Sequence, residues 1–406
     1  MVETVENCSA CGLCEALCPK DAIEMKWSQT GFLSPSIQVD RCINCGLCLK
    51  KCPQSHISKS DECFSEVKAY GGWNTNDSIH EQSSSGGVFS AVSDYVLERN
   101  GVVYGVVWNK ELIPVFSRIT KREEMAAVRG SKYTQALPQK VYRKVQNDLK
   151  EGKLVLFSGT PCQVYALNLF LRKIPENLIT VDIVCHGIPS RTLFQKYVRE
   201  AEQAKRKKVV RVSFREKPEG WKRYHVTLYY SDGSRDSLPS EQDPYMRLFL
   251  SDKALKPACY DCKYAVCPRP GDITLGDFWG VENFHKDWPL ERGISAILTN
   301  TQKGAGLLSL LQAEDRICIY PEQFEHMRLN QSGFSTLKNK PCDYQSFMKD
   351  LLRLSVRQLV LKYIDSVAYG PLRVRINGKM HHLLDMIHSF WLRVYGYTRI
   401  KLGLLK

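Results

Sequence analysis

Short apolar runs alternate with turns and amphipathic segments through the middle of the chain. Three runs have the length of a buried strand and predict strands at Gly101–Trp108, Lys153–Phe157 and Leu178–Val184. Segments beside them place apolar residues at helical spacing and predict helices at Val88–Arg99, Val164–Leu171 and Leu193–Glu200. Repeated strand–turn–helix units are typical of an α/β domain, in which ligands bind at the carboxyl ends of the strands.

The same pattern predicts further strands on both sides of this region. Near the start, two short strands are predicted at Ala22–Trp27 and Ser36–Val39. Later strands are predicted at Val209–Phe214 and Tyr224–Tyr230, which should pair antiparallel, at Ile294–Thr299 and at Ile317–Tyr320.

The length and composition are those of a globular protein with two or three domains. The 406 residues are 43% hydrophobic and 25% charged. Sixteen cysteines without a secretory signal argue against a disulfide framework and predict a reducing, cytoplasmic compartment. No uninterrupted run of about 18 apolar residues is present, so we expect no transmembrane helix.

Positive charge is concentrated at the end of the chain. The formal net charge is +14, and residues 346–406 hold eleven Lys or Arg against three Asp. Basic amphipathic helices are predicted from residue 351 and again at 382–397, and such helices either lie on an anionic membrane or, more commonly, dock on the body of the protein. An acidic protein is a further candidate partner. No nucleic-acid-binding motif accompanies the charge, so nucleic acid is not expected as a partner.

Two cysteine runs near the start predict iron–sulfur clusters. Both follow the spacing C-x2-C-x2-C-x3-C-P. Three thiolates two residues apart bind one face of an iron–sulfur cube, and the fourth thiolate ligates the other cube. The predicted ligands are Cys8, Cys11, Cys14 and Cys52 for one [4Fe-4S] cluster, and Cys42, Cys45, Cys48 and Cys18 for the other. Structural zinc is the alternative, but it usually takes two separate C-x2-C pairs.

A third cysteine group predicts another metal site. Cys259, Cys262 and Cys267 are spaced C-x2-C-x4-C and need a fourth ligand from elsewhere. Cys162 and Cys185 are the candidates because each lies on a turn after a predicted strand. We favour Cys185, since the His-Gly turn after it leaves the thiol exposed. A [4Fe-4S] cluster is predicted here, and a zinc knuckle is the alternative on spacing alone.

Several turns carry residues that suit a bound cofactor. The Ser83–Gly87 turn opens a predicted helix and is either an ordinary N-cap or, with the helix dipole, a phosphate site. A basic loop follows at Arg129–Tyr133. The strand predicted within Gly271–Gly280 ends in a turn, where Asp277 and Trp279 either shape a cofactor pocket or serve as a turn residue and a core indole.

These patterns predict a multidomain chain of mixed α+β and α/β class. Residues 1–58 form a small two-cluster module, whose metal–thiolate bonds supply much of its folding energy. Residues 59–82 are polar and are predicted to be a linker. An α/β body follows, divided into 83–155 and 156–335, and a helical basic tail spans 346–406.

The combination of motifs resembles a known family. The first module is similar to the bacterial two-cluster [4Fe-4S] ferredoxins. The body contains, in this order, Ser84–Gly87, Gly130–Tyr133, Gly159–Gln163, Cys185–Ser190, Cys259-x2-Cys262 and Gly271–Gly280. This order resembles the family of coenzyme F420 hydrogenase/dehydrogenase beta subunits over about residues 1–330, and the plant 7-hydroxymethyl chlorophyll a reductases are similar in these motifs. The resemblance implies bound FAD, [4Fe-4S] clusters and an α/β flavin-binding body unlike the Rossmann fold.

The resemblance also implies roles for particular residues. The flavin site would be lined by Ser84, Ser85, Gly86, Gly87, Lys132, Thr160, Pro161, Cys162 and Gln163. The cluster nearest the flavin would be held by Cys185, Cys259, Cys262 and Cys267. Lys132 beside a flavin would stabilise its reduced, anionic form through its charge. No residue is predicted to be catalytic.

The predicted function is that of an iron–sulfur flavoprotein oxidoreductase. A flavin exchanges electrons in pairs and clusters exchange them singly. The protein would therefore move electrons between ferredoxin, or another redox protein, and coenzyme F420 or another reducible organic substrate. The alternative is an electron-relay subunit of a larger hydrogenase or dehydrogenase, without a free substrate, and a zinc-binding interaction protein is a third reading. The expected location is cytoplasmic, or membrane-peripheral through the basic tail.

Overall fold

The computed structural model describes residues 7–56, 67–334 and 338–365. This part of the chain contains a central eight-stranded sheet, a three-stranded sheet and a two-stranded sheet. The strands are β1 Ile23–Trp27, β2 Leu33–Ile37, β3 Lys68–Asn74, β4 Val102–Trp108, β5 Pro114–Ile119, β6 Val155–Gly159, β7 Leu178–Ile183, β8 Val209–Glu216, β9 His225–Tyr230, β10 Arg235–Pro239, β11 Ile273–Asp277, β12 Ser295–Thr299 and β13 Ile317–Glu322.

Helices connect most of these strands. They are α1 Leu13–Leu17, α2 Leu47–Lys50, α3 Pro53–His56, α4 Asp77–Gln82, α5 Val88–Glu98, α6 Met125–Val128, α7 Val141–Lys150, α8 Pro161–Leu171, α9 Arg191–Lys205, α10 Pro244–Leu250, α11 Gln302–Ala313, α12 Phe324–Arg328, α13 Tyr344–Leu351 and α14 Val356–Val360.

The central sheet is parallel in its middle and antiparallel towards both edges. Its strand order is β13-β3-β12-β11-β7-β6-β4-β5, in which β11, β7, β6 and β4 are parallel neighbours. Strands β12, β3 and β13 on one side, and β5 on the other, pair antiparallel. The predicted mixed α/β class is confirmed.

Helices cover both faces of the central sheet. Val103 and Leu156 point to one face and pack with α5 and α11. Val102 and Phe157, their neighbours in the same strands, point to the other face and pack with α7 and α8. A strand that is buried on both faces needs an unbroken apolar run, which is why these strands are visible in the hydrophobic pattern.

Strand β3 is a correction to the predicted linker at 59–82. It lies inside the central sheet, between β13 and β12. A Cβ on Gly71 would lie 2.3 Å from the Trp288 ring, and one on Gly72 would lie 2.5 Å from the Cys318 carbonyl oxygen. The two glycines make the segment resemble a loop in the sequence, although they permit close packing in the sheet.

The predicted division of the body also differs from the structure. The boundary between 83–155 and 156–335 falls inside β6, so both parts contribute strands to one sheet.

The smaller sheet, in the order β10-β9-β8, shares a core with α9, α10, α13 and α14. Strands β8 and β9 are antiparallel, as predicted. Helices α13 and α14 form the start of the predicted tail and bury Phe347, Leu351 and Leu359 in this core, so this part docks on the body. Residues 366–406, with the helix predicted at 382–397, lie outside the described residues. Within the described ranges, no helix is both long and apolar enough to cross a membrane.

The cysteine-rich module at the start is docked on helix α7 and its surroundings. Arg143 donates hydrogen bonds to the carbonyl oxygens of Ala16 and Cys18, each at 2.7 Å, and to Asp21 at 2.8 Å. Tyr142 donates to the Cys11 carbonyl oxygen at 2.5 Å. Leu13 and Ala16 of the module are buried in the same core as α7 and α8. The module and the body therefore share one hydrophobic core.

Candidate cofactor site

A cavity of about 330 Å³ lies at the carboxyl ends of the parallel strands. Its walls include Ser158 and Gly159 at the end of β6, Cys185 just after β7, and Gly276 and Asp277 at the end of β11. Parallel strands end at the same edge of a sheet, so the loops that follow them converge there. We call this space the central cavity.

Most of the residues predicted for the flavin site line the central cavity. They come from loops far apart in sequence and include Ser84, Ser85, Gly87, Lys132, Thr160, Cys162 and Gln163. Gly86 and Pro161 are not in the wall. A Cβ on Gly86 would lie 2.3 Å from the Gly72 carbonyl oxygen, so this glycine serves close packing against β3. Pro161 starts α8 and faces a neighbouring cavity.

The wall of the central cavity contains groups that suit an anionic ligand. Helix α5 begins in this wall after Gly87, which has a left-handed backbone (φ 80°), and no side chain caps this helix end. Two further wall atoms, Arg129 Nε and Thr134 Oγ1, are buried without a hydrogen-bond partner. Helix N-termini and unpaired N–H or O–H donors bind phosphate oxygens well. This donor set fits the phosphate groups of a dinucleotide.

Lys132 holds a loop of the cavity wall and has a lowered pKa. Its Nζ donates to the carbonyl oxygens of Val128, Arg129 and Gly130 at 3.1–3.3 Å, which closes the loop around the cavity. Burial lowers the pKa of Lys132 to about 8. A nearby anion would favour the charged form of this side chain.

Arg215 lies behind the wall of the central cavity and was not among the predicted site residues. The guanidinium is buried and makes two hydrogen bonds to the Asp277 carboxylate, at 2.7 and 2.8 Å. It also donates to Tyr133 Oη at 3.0 Å and to the Ser84 carbonyl oxygen at 2.9 Å. Trp221 Nε1 donates to the same carboxylate at 2.9 Å. Arg215 thus ties the smaller sheet to two loops of the central cavity.

Asp277 and Trp279 are both candidates for a cofactor pocket, and the structure places only Asp277 in the wall of the central cavity. Asp277 lines the central cavity, whereas Trp279 stacks on Trp221 at a centroid distance of 4.6 Å. The indole of Trp279 is therefore a packing group behind the cavity wall.

A second, smaller cavity of about 50 Å³ gathers four cysteines. Its wall contains Cys162, Cys185, Cys259 and Cys262. Both candidates for the fourth ligand of the third metal site are present, and burial raises the pKa of all four thiols. Cys267, predicted as a ligand, is not in this wall and packs against the hydrophobic core that contains Phe278. The second cavity therefore brings Cys162 together with three of the four predicted ligands.

A third cavity of about 50 Å³ gathers the first predicted ligand set. Its wall contains Cys8, Cys11, Cys14 and Cys52, together with Cys48. Burial raises the pKa of Cys11 and Cys14 to about 12, so these thiols need bound metal to become thiolates at neutral pH. Cys18, Cys45 and Cys48 of the other set are close enough to interact electrostatically. Within the described ranges, no three His, Cys, Asp or Glu side chains converge on a single metal ion.

The three cavities adjoin one another. Ser9, between the first two cysteines of the chain, lines all three. Gln54 lines both cysteine cavities, and His186 lines the central cavity and the second cavity. The cavity in the module, the second cavity and the central cavity therefore lie next to one another.

Three protein-family models match most of the chain. Residues 7–56 match a 4Fe-4S dicluster domain. Residues 69–141 match the N-terminal part of the coenzyme F420 hydrogenase/dehydrogenase beta subunit, and residues 152–323 match its C-terminal part. The two beta-subunit matches together cover more than half of the 406 residues. The chain belongs to the family of coenzyme F420 hydrogenase/dehydrogenase beta subunits. Membership and the dicluster domain make it an iron–sulfur oxidoreductase of the electron-transfer type.

Two proteins similar to this chain come from Methanosarcina species. The chain is 22% identical over 283 residues to an F(420)H(2) dehydrogenase subunit of Methanosarcina mazei, covering 66% of this chain and 75% of that protein. A chain of the F420-reducing [NiFe] hydrogenase complex from Methanosarcina barkeri is 20% identical, with a TM-score of 0.44 over 73% of this chain and 91% of that one.

Proposed function

We propose that this protein moves electrons between a one-electron carrier and an organic two-electron substrate, with FAD in the central cavity and three [4Fe-4S] clusters. The observation that carries the proposal is the contact of all three cavities at Ser9. A route of adjoining sites suits electron transfer, whereas isolated structural metal sites need no such continuity.

The central cavity offers FAD groups for its phosphates and a wall shared with the proposed cluster site. The start of α5, Arg129 and Thr134 would hold the phosphates. Thr160 and Cys162 lie in the wall that the central cavity shares with the second cavity. When bound, FAD supplies hydride exchange with the substrate and single-electron exchange with the clusters. The chain's own part is to hold the cofactor there and to screen it from water.

The proposed third cluster is held by the four cysteines of the second cavity. Cys162 lies in the first turn of α8, just after β6, and Cys185 lies in the loop after β7. Cys259 and Cys262 come from the segment before β11. The Ile188 backbone N–H donates to Cys259 Sγ at 3.3 Å. Hydrogen bonds to ligand sulfurs raise the reduction potential of a cluster, so this bond favours electron acceptance.

The proposed substrate is coenzyme F420 or another reducible organic molecule. Its support is family membership and the likeness to a protein named as an F(420)H(2) dehydrogenase subunit. The word subunit in that name also supports the alternative, an electron-relay subunit within a larger complex. Gel filtration with a turnover assay distinguishes them, because a free enzyme turns over as the isolated chain.

An anaerobic absorbance titration tests the proposed function. The purified protein should show flavin and iron–sulfur absorbance, and reduced F420 should bleach both in the absence of any other protein. Bleaching by reduced ferredoxin alone would assign the flavin to a different substrate. A preparation that contains iron but takes up no FAD would contradict the proposal.

Replacing Lys132 with methionine should weaken FAD binding roughly tenfold at pH 7, an effect of about 1.4 kcal/mol. In the proposed complex the charge of Lys132 attracts the anionic FAD, and its Nζ holds the surrounding loop. In the FAD-free protein the pKa of Lys132 is about 8, so the charge is present below pH 8 and is lost as the pH rises above it. Wild-type affinity should therefore fall above pH 8, whereas the variant should lack this decrease.

Fluorescence titration of flavin-depleted protein with FAD, at pH 6.5 to 9.5, measures both effects. Lys217→Met is the matched control, because burial also lowers the pKa of Lys217 to about 8 but this residue is not in the cavity wall. Equal pH profiles for wild type and Lys132→Met would contradict the prediction.

A further inference from the structure

Lys256 is a buried residue in the segment that leads into the third cysteine site. Only 6% of its surface is exposed. Its backbone N–H donates to the Ile188 carbonyl oxygen at 2.8 Å, and its own carbonyl oxygen accepts from the Cys259 N–H at 2.9 Å. These two hydrogen bonds fix the backbone of Lys256 next to a proposed cluster ligand.

The side chain of Lys256 reaches across to the cysteine-rich module. Its Nζ donates to the Leu33 carbonyl oxygen of β2 at 2.7 Å and lies 5.6 Å from the centre of the Phe32 ring. Cys8 and Cys14, two predicted ligands of the first cluster, pack against the small hydrophobic core that contains Leu33. The ammonium group therefore joins the third cysteine site to the part of the module that carries the first ligand set.

Among the described residues, the negative groups that act on Lys256 are thiols and not carboxylates. Burial lowers the pKa of Lys256, and negative charge on Cys8, Cys259 and Cys162 acts in the opposite direction. A buried ammonium group is costly unless an anion compensates it. Thiolate-bound iron–sulfur clusters supply such an anion, and a cluster gains one more negative charge when it is reduced.

We propose that Lys256 sets the reduction potentials of the first and third clusters, by holding a buried positive charge where the segment before Cys259 meets β2 of the module. A positive charge stabilises the reduced state of a nearby cluster, so both clusters accept an electron more readily. One electron passes between them; one cluster is oxidised as the other is reduced, and no bond or proton is involved. This inference rests on the proposed function and adds a residue that tunes its relay.

The alternative role for Lys256 is to anchor the segment to the module. Lys263 in the same segment already makes such an anchor, because its Nζ donates to the Gln54 carbonyl oxygen at 2.6 Å, and it is less buried than Lys256. An anchor of this kind does not need a buried position. An effect on cluster potential does, because burial removes the screening of the charge by water.

The test is an anaerobic redox titration of the full-length holoprotein, with the reduced clusters followed by electron paramagnetic resonance. Lys256→Gln is the main variant, because the amide removes the charge but can still donate to the Leu33 carbonyl oxygen. The equilibrium constant for one-electron reduction of the first and third clusters should fall about tenfold, a shift of about 59 mV to more negative potential. The cluster of the second cysteine run should keep its potential, because its predicted ligands are not among the groups that act on Lys256.

Three further variants separate charge from shape and from general effects. Lys256→Met should shift the same two potentials, so a loss of iron in one neutral variant leaves the comparison intact. Lys256→Arg keeps the charge and should keep both potentials close to the wild-type values. Lys196→Met is the matched control, because Nζ of this partly buried lysine donates to the Leu351 and Leu354 carbonyl oxygens at 2.7 and 2.6 Å, and no cysteine acts on its pKa. All three potentials should be unchanged in this control.

Three results would overturn the proposal. They are unchanged potentials in Lys256→Gln, a shift of the same size in Lys256→Arg, and a shift of the same size in Lys196→Met. Failure of the proposed function looks different, because wild-type protein without a third cluster would contain about eight iron atoms and show two reduction steps. Lys256→Gln should then still shift the step that belongs to the first cluster.

Discussion

Replacing Cys259 with serine should remove the third cluster and interrupt electron transfer between the module and the central cavity. Cys259 Sγ lies in the wall of the second cavity with three other thiols, and burial raises its pKa well above the ordinary value. A cube that loses one of four thiolates is poorly held, so iron should fall from about twelve to about eight atoms per chain. Reduced ferredoxin should then bleach the module but no longer the flavin.

Cys267→Ser is the matched control for this experiment. Cys267 belongs to the same C-x2-C-x4-C group but packs against the hydrophobic core that contains Phe278, outside the second cavity. Its replacement should preserve the iron content and the electron transfer, whereas Cys162→Ser should behave as Cys259→Ser does. Iron analysis and anaerobic stopped-flow absorbance measure both. If Cys267→Ser loses iron and Cys162→Ser keeps it, the proposed ligand set is wrong.

The proposed exchange of Cys267 for Cys162 concerns where spacing in the sequence is informative. In the first run the ligand spacing reflects a local loop, and the grouping of Cys8, Cys11, Cys14 and Cys52 in one cavity agrees with it. The proposed third site uses cysteines that follow two neighbouring parallel strands, β6 and β7. Segments that follow parallel neighbours meet at one sheet edge, so Cys162 and Cys185 can lie together although no local spacing in the sequence links them.

The body was predictable to the extent that its strands are buried on both faces. Such strands form apolar runs, and β4, β6 and β7 lie within one residue or two of their predicted bounds. Strand β3 was missed because Gly71 and Gly72 replace side chains where Trp288 and Cys318 approach the backbone. That requirement comes from residues more than 200 positions later in the chain, and no local pattern expresses it.

The residues in and behind the cavity wall also differ in whether local sequence predicts them. Ser84, Lys132 and Thr160 lie in turns beside predicted strands and helices, where local sequence is informative. Arg215 acts across 131 residues on Ser84 and across 62 on Asp277. Within its own segment, Arg215 is one basic residue in a strand. Its role is visible only in the folded chain, where it joins the smaller sheet to Asp277 of the central sheet.

The ion pair between buried Arg215 and partly buried Asp277 leads to the second prediction of large effect. Arg215→Met should destabilise the folded protein by about 3 kcal/mol, because methionine fills similar space but leaves the partly buried Asp277 carboxylate with Trp221 Nε1 as its remaining side-chain donor. The variant should also retain little FAD, since the guanidinium holds the Ser84 carbonyl and Tyr133 Oη in the cavity wall.

The double variant Arg215→Met/Asp277→Asn should recover part of the lost stability, because it leaves no uncompensated charge in the interior. Urea unfolding under anaerobic conditions, followed by tryptophan fluorescence, measures the change, and the stacked Trp221 and Trp279 are close to the altered site. Arg223→Met removes exposed ion pairs with Glu219 and Glu241 and should leave the unfolding midpoint unchanged. The guanidinium carbon of Arg215 lies 4.3 Å from the centre of the Tyr224 ring and 5.2 Å from that of Trp279. If the single and double variants lose equal stability, this packing on the two rings, and not the charge pair, explains the role of Arg215. A loss that is larger in the single variant means that the charge pair itself holds the smaller sheet against the cavity, so cofactor binding and folding depend on the same contact.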